Sequence, residues 1–251
     1  MSSISSISLS LSLLAVGYLF RRSCTPPHRP SSATATPDRV RLLAGPITTI
    51  TTHLGCLCII YHALIALLYS ESDDTYEHNT PTDPTAIHNT ITLTLHRICP
   101  HPTNLPPQLF TWTPTTALCL LSIALGTTLR LAAFRSLGRN FTFELAQPDS
   151  LVTAGMYRFV QHPSYTGLWL LAAGQLGLVL RWDGAAACGM DAGTLERLSG
   201  WGGWALGALV VVLMRFTVMR IRDEERMLQT KFGGEWEGWH ARTARMVPFL
   251  L

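Results

Sequence analysis

Between Gly155 and Gly167 the chain reads Gly155-Met156-Tyr157-Arg158-Phe159-Val160-Gln161-His162-Pro163-Ser164-Tyr165-Thr166-Gly167, a dense set of donors and acceptors. An apolar run, Leu168 to Leu180, follows at once, so this polar stretch sits at the mouth of a membrane helix. Gly155 permits backbone angles that a side chain would forbid, and Pro163 can open a helix because the first helical amide has no partner to lose. A second group lies beyond the last apolar run: Arg220 and Glu224, four apart and therefore on one helical face. A guanidinium can hold a carboxylate by a double hydrogen bond, and a carboxylate can receive a cation. The same residues also suit plainer roles, an aromatic belt around Tyr157 and Tyr165 and a surface ion pair at Arg220 and Glu224.

These side chains can act together only if membrane helices position them. Five apolar runs are expected to span: Ile4–Phe20, Ile47–Tyr69, Pro114–Phe134, Pro163–Leu180 and Gly200–Met219. Ser23–Pro46 reads as a flexible connector, Ser70–Thr113 as a polar, acidic loop, and Arg181–Ser199 as a Gly-rich loop. Arg130, near the end of the third run, is expected to stretch to the lipid headgroups. His53 and His62 suit polar contacts between helices, and His78, His88, His96 and His101 lack zinc-like spacing. The last two spans, joined by a short loop, should pair as a hairpin that sets the two polar groups side by side. The chain then divides into an N-terminal membrane region, 1–136, and a region 137–251 that carries the chemistry.

Composition agrees. Of 251 residues, 47% are hydrophobic and 14% charged, where a soluble domain carries about a quarter charged. The mean hydropathy is +0.24. The expected fold class is all-α, a polytopic helical bundle in a lipid bilayer. A net charge of +3, spread around the membrane runs, gives no basic patch for nucleic acid. No glycine-rich strand-turn-helix fingerprint marks a Rossmann sheet. The six cysteines, Cys24, Cys56, Cys58, Cys99, Cys119 and Cys188, form no CxxC pair, and neither a metal site nor a disulfide framework is expected.

Lysine and arginine placement orients the bundle. With a lumenal N-terminus, one side holds Arg21, Arg22, Arg29, Arg39, Arg41, Arg135, Arg139, Arg158, Arg215, Arg220, Arg222, Arg226, Lys231, Arg242 and Arg245. The other holds Arg97, Arg181 and Arg197. Fifteen against three is the bias of the positive-inside rule, and it puts both polar groups in the cytosol.

The ordered pair of motifs resembles the isoprenylcysteine carboxyl methyltransferases. That family carries Gly-x-Tyr, then Arg-His-Pro-Ser-Tyr, later Arg-x-x-x-Glu-Glu and a Phe-Gly-x-Glu-Tyr-like segment. Here the matching residues are Gly155 to Tyr157, His162 to Tyr165, Arg220 to Glu225, Lys231 to Trp236, and Thr243 to Pro248, within Leu137 to Phe249. Gln161 departs from the pattern, standing where the family has arginine.

The resemblance implies S-adenosylmethionine as cofactor and, as acceptor, the C-terminal carboxylate of a prenylated cysteine, on a protein or a small molecule. It implies that Tyr157, His162, Pro163, Ser164 and Tyr165 surround the cofactor. Asp149, Ser150, Leu151 and Val152 match a preceding segment that also contacts it, and Thr142 falls where a further polar contact is expected. Glu224 would receive the cofactor's amino group, with Glu225 one register away, and Arg220 would hold the acceptor carboxylate. An endoplasmic reticulum location with a cytosolic site follows from the same resemblance. Two other readings stand beside it: a related membrane methyltransferase for a lipid amine or other small apolar acceptor, and a non-catalytic binding protein with a degenerate site.

Overall fold

The computed structural model describes residues 3–27, 43–73 and 93–247. Much of the Ser23–Pro46 connector and the first part of the acidic loop, with Asp74, Glu77, His78, Asp83 and His88, lie outside the described residues. The described residues are helical throughout, with a single isolated bridge, Val160 to Ala244, and no strand.

The helices are α1 (Ser3–Cys24), α2 (Thr48–Asp73), α3 (Pro114–Leu137), α4 (Pro163–Leu178), α5 (Ala192–Phe232) and α6 (Gly234–His240). Four segments are long and apolar enough to cross a membrane: Ile4–Cys24, Gly45–Leu68, Pro107–Asn140 and Ala192–Phe232. The polytopic all-α membrane bundle expected from the apolar runs is what the chain forms. The remaining expected span is shorter than its run. Helix α4 has 16 residues, about 24 Å at 1.5 Å per residue against a hydrocarbon core of about 30 Å. It stops because the amides of Val179 and Leu180 both turn to the Gln175 carbonyl, each at 2.8 Å.

The last span differs in the other direction. Helix α5 runs 41 residues, through the expected loop end and deep into the polar tail. Its start is set by Asp191, whose carboxylate accepts the Thr194 amide at 2.9 Å and the Thr194 hydroxyl at 2.7 Å, satisfying donors at the first turn. Arg181–Ser199 is therefore not one glycine-rich loop. It contains the 3₁₀ turn Ala185–Gly189 and the first residues of α5.

The chain forms two compact units. The first draws on Met1–Leu19, Leu54–Ile123 and Ala172–Leu206. Here Ser10 donates to the Ala63 carbonyl, and His62 bonds the Leu109 carbonyl at 2.9 Å while stacking on Phe110, the polar interhelical role expected of it. Contrary to the cysteine reading, Cys99 and Cys188 form a disulfide. Their separation of 89 residues leaves no local spacing to read. Around it His101 N–H donates to the Cys188 carbonyl, and Asn104 donates to the carbonyls of Ala187 and Met190.

The second unit comprises Phe20–His53, Ala124–Leu171 and Gly207–Leu251. Its helix contact is made by Gly126 of α3 and Gly167 of α4. A Cβ on either would stand 2.6 Å from the other's carbonyl oxygen, so only glycine allows this approach. Arg130 does not reach for headgroups. It is buried, with Nε donating to the Ser23 carbonyl at 2.7 Å and Nη1 to Ser164 Oγ at 2.9 Å. Phe134 and Phe143 lie 5.2 and 5.1 Å beneath its guanidinium. Internal carbonyl, hydroxyl and ring partners compensate the buried charge, which removes the reason to stretch toward water.

Candidate active site

The site lies wholly within the second unit. Ala154 enters in extended geometry, and Gly155 at φ +63° turns the chain into the 3₁₀ segment Gly155–Arg158. A residue with a side chain is strained at that angle, so the glycine is what aims Tyr157 inward. Tyr157 packs with Leu228, Trp236 and Trp239, against which Leu151 and Val152 lie partly buried. Trp239 Nε1 donates to the Tyr157 carbonyl at 2.8 Å and locks the turn. Burial, reinforced by the negative charge of Glu224, pushes the Tyr157 phenol well above the usual tyrosine range, so it stays a neutral hydroxyl.

From Phe159 onward the chain pairs with the C-terminal segment. Ala244 N–H donates to the Phe159 carbonyl, Gln161 N–H to Ala244, and His162 N–H to Arg245, at 3.1, 2.8 and 2.8 Å. The Thr166 hydroxyl donates to the Met246 carbonyl. Residues 244–246 thus form a strap along the motif. Gln161 is buried and fully engaged. Its Nε2 donates to the carbonyls of His240 and Thr243 and to the Thr243 hydroxyl, and its Oε1 meets His240 Nδ1 at 2.8 Å. A neutral amide suits these neutral partners, which accounts locally for glutamine here.

Pro163 opens α4, whose first turn and α5 bring the two motifs together as the expected hairpin requires. Tyr165 donates its hydroxyl to Glu224 Oε2 at 3.3 Å, and Arg220 also hydrogen bonds the Tyr165 side chain. His162 lies buried between two acids, Nδ1 at 3.9 Å from Glu224 Oε2 and Nε2 at 3.5 Å from Glu225 Oε1. Its ring meets Tyr165 edge-on, centroids 5.8 Å apart. Arg220 Nη2 donates to the Phe143 carbonyl at 2.7 Å.

The two adjacent acids differ. Glu225 is buried and forked by Arg245, Nε at 2.9 Å and Nη2 at 3.3 Å. Both Glu224 contacts use Oε2, and its side chain keeps 32% of its surface exposed. Of the pair, Glu224 has room for a cationic ligand.

The structure thus gathers Tyr157, His162, Tyr165, Arg220 and Glu224, with Leu151 and Val152 behind Tyr157. Ser164 follows Pro163, but its hydroxyl is the acceptor for Arg130. Thr142 donates to the Glu144 carbonyl in a local turn beside Phe143. Asp149 and Ser150 are exposed in the preceding loop, where the Asp149 amide donates to Asn140. Arg130, Trp239, His240 and Arg245 went unassigned in the sequence. Arg245 falls inside the matched Thr243 to Pro248 segment, which was the available signal.

Residues 117–190 match the model of the isoprenylcysteine carboxyl methyltransferase (ICMT) family. The chain is 29% identical over 135 residues to protein-S-isoprenylcysteine O-methyltransferase A of Arabidopsis thaliana, covering 52% of this chain and 58% of the relative. It is 28% identical over 144 residues to protein-S-isoprenylcysteine O-methyltransferase of Mus musculus, covering 56% and 43%. With the enzyme of that name in Schizosaccharomyces pombe it shares 29% over 132 residues, covering 51% and 47%. These matches span about half the length of the relatives. Through residues 117–190, which run from α3 across the His-Pro-Ser-Tyr motif to the turn before α5, the chain belongs to the isoprenylcysteine carboxyl methyltransferase family.

Proposed function

We propose that the chain transfers a methyl group from S-adenosylmethionine to the C-terminal carboxylate of a prenylated cysteine, forming a methyl ester. The observation that carries this reading is the meeting of Tyr165, from the His-Pro-Ser-Tyr motif, with Glu224 and Arg220 on one face of α5. The residues present suit the cofactor: Glu224 offers a partly exposed carboxylate to an ammonium group, and neutral Tyr157 and Tyr165 offer hydroxyls.

When bound, S-adenosylmethionine supplies an electrophilic methyl on a sulfonium that departs as a neutral thioether. The acceptor carboxylate is ionised at neutral pH, so no side chain has to remove a proton. Arg220 would orient that carboxylate through its guanidinium fork, and Glu224 would fix the cofactor end. His162, Pro163 and Ser164 form the wall between them, and Leu151 and Val152 exclude water. Alignment and exclusion of water can contribute several kcal/mol to such a transfer. A prenyl chain would enter from the bilayer, since a hydrocarbon gains nothing by first crossing water.

An endoplasmic reticulum membrane with the site facing the cytosol fits two features. The arginine bias puts both motifs on the cytosolic side. Cys99 and Cys188 belong to segments on the opposite side, where an oxidising lumen sustains a disulfide. The test is Arg220→Ala: methylation of farnesylcysteine should collapse while cofactor affinity survives, and Arg220→Lys should recover only part, since a point charge aligns the oxygen less well. A normal rate in Arg220→Ala would remove Arg220 from the acceptor site.

A further inference from the structure

Glu225 is the second acid of the Arg-x-x-x-Glu-Glu motif, and its surroundings raise a charge problem. It is buried beside His162, and Glu224 approaches the same ring from the other nitrogen. Two carboxylates around one buried imidazole repel each other unless a cation balances one of them. In the family motif an arginine precedes the histidine, but here Gln161 is neutral and its amide is committed to His240 and Thr243.

The balancing cation comes from elsewhere in sequence. Arg245 reaches from the strap to clasp Glu225 with Nε and Nη2, and its own carbonyl accepts the His162 amide at 2.8 Å. One residue therefore holds His162 by its backbone and the acid beside its ring by its side chain. The Arg245 side chain is itself 57% exposed, so the pair adds little to stability by Coulomb attraction. The consequence of losing it falls on Glu225, whose side chain is only 11% exposed and would be left buried without a partner.

We propose that Arg245 is a positioning residue: it supplies from the C-terminal strap the positive charge missing at Gln161, neutralises Glu225, and so keeps His162 and Glu224 in place for the cofactor. This rests on the methyltransferase reading above. Without Arg245, the nearest polar group to Glu225 is His162 Nε2, and the ring would be drawn from its place between the acids. The charges facing His162 are Glu224 and Glu225 from α5 and Arg245 from the strap, with the Tyr165 hydroxyl beside it on α4.

A charge cycle tests this on the full chain in lipid nanodiscs, with direct S-adenosylmethionine binding and farnesylcysteine turnover read for wild type, Arg245→Ala, Arg245→Lys, Glu225→Gln and the double variant Arg245→Ala/Glu225→Gln. Arg245→Ala should raise the cofactor Kd about tenfold or more, the scale of a buried charge stripped of its partner. Arg245→Lys should lie between it and wild type. The double variant should bind within about threefold of Glu225→Gln alone, because neutralising the acid removes the need for the cation. Rescue by glutamine separates this role from mere packing, which removing the second side chain could only worsen. An Arg245→Ala Kd equal to wild type, or additive losses in the double variant, would overturn the proposal. Wild type that binds no S-adenosylmethionine would instead sink the methyltransferase reading itself.

Discussion

Replacing Glu224 with glutamine probes the cofactor end of the site with the smallest change in shape. The amide oxygen can still accept the Tyr165 hydroxyl, so the 3.3 Å contact has a neutral substitute, and only the charge is lost. Removing one partner of a buried charge pair costs about 2–5 kcal/mol. Glu224 is a third exposed, which screens it and sets the expectation at the lower end, about 2 kcal/mol. That is about a thirtyfold rise in the S-adenosylmethionine Kd. The assay is equilibrium binding of labelled cofactor to purified protein in nanodiscs, with a thermal midpoint on each sample. Glu224→Gln should bind weakly with its midpoint near wild type, because an exposed acid contributes little to folding. Glu225→Gln should show the reverse balance, a lower midpoint from loss of the Arg245 and His162 contacts and a smaller change in Kd. Unchanged affinity in Glu224→Gln, with a large loss in Glu225→Gln, would move the cofactor contact to Glu225 and refute the reasoning from exposure.

Further outcomes test the scaffold. Gly167→Ala puts a methyl 2.6 Å from the Gly126 carbonyl and should destabilise the bundle by about 1–3 kcal/mol, read as a lower thermal midpoint. In intact microsomes Cys99 and Cys188 should react with a thiol-directed mass tag only after reduction; a tag after Leu251 should be cut by added protease and one near Asp83 protected. The reverse protease pattern would invert the orientation. Tyr157 should titrate only above the ordinary tyrosine range. Its folded pKa lies above the unfolded value, so its contribution is complete below about pH 10 and is lost as pH rises beyond that, checked by thermal midpoints across alkaline pH.

How much was legible follows from where the information sits. Apolar runs located every membrane helix, because hydrocarbon-facing residues declare themselves one by one. They could not fix the ends. Helix α5 begins at a cap made by Asp191 and continues past Met219 on charged residues that face Tyr165, His162 and the strap, none of which is visible in hydropathy. Arg130 looked like a headgroup anchor because its partners, Ser23 and Ser164, are distant in sequence. The Cys99–Cys188 bridge and the Arg245–Glu225 clasp escaped for the same reason, since each joins segments that only tertiary packing brings together. The meeting of the two polar motifs was legible because a short connection between consecutive helices leaves few other arrangements.

The central claim is that the protein esterifies the carboxylate of a prenylcysteine. Purified protein should be incubated with methyl-labelled S-adenosylmethionine and, in separate reactions, farnesylcysteine, unprenylated cysteine peptide and a phospholipid amine. The product is then treated with base, which releases a methyl ester as volatile methanol and leaves an N-methyl group attached. The account predicts label in farnesylcysteine that base releases, with little transfer to the bare peptide or the amine. Label that enters the phospholipid amine and resists base, with none in farnesylcysteine, would contradict it.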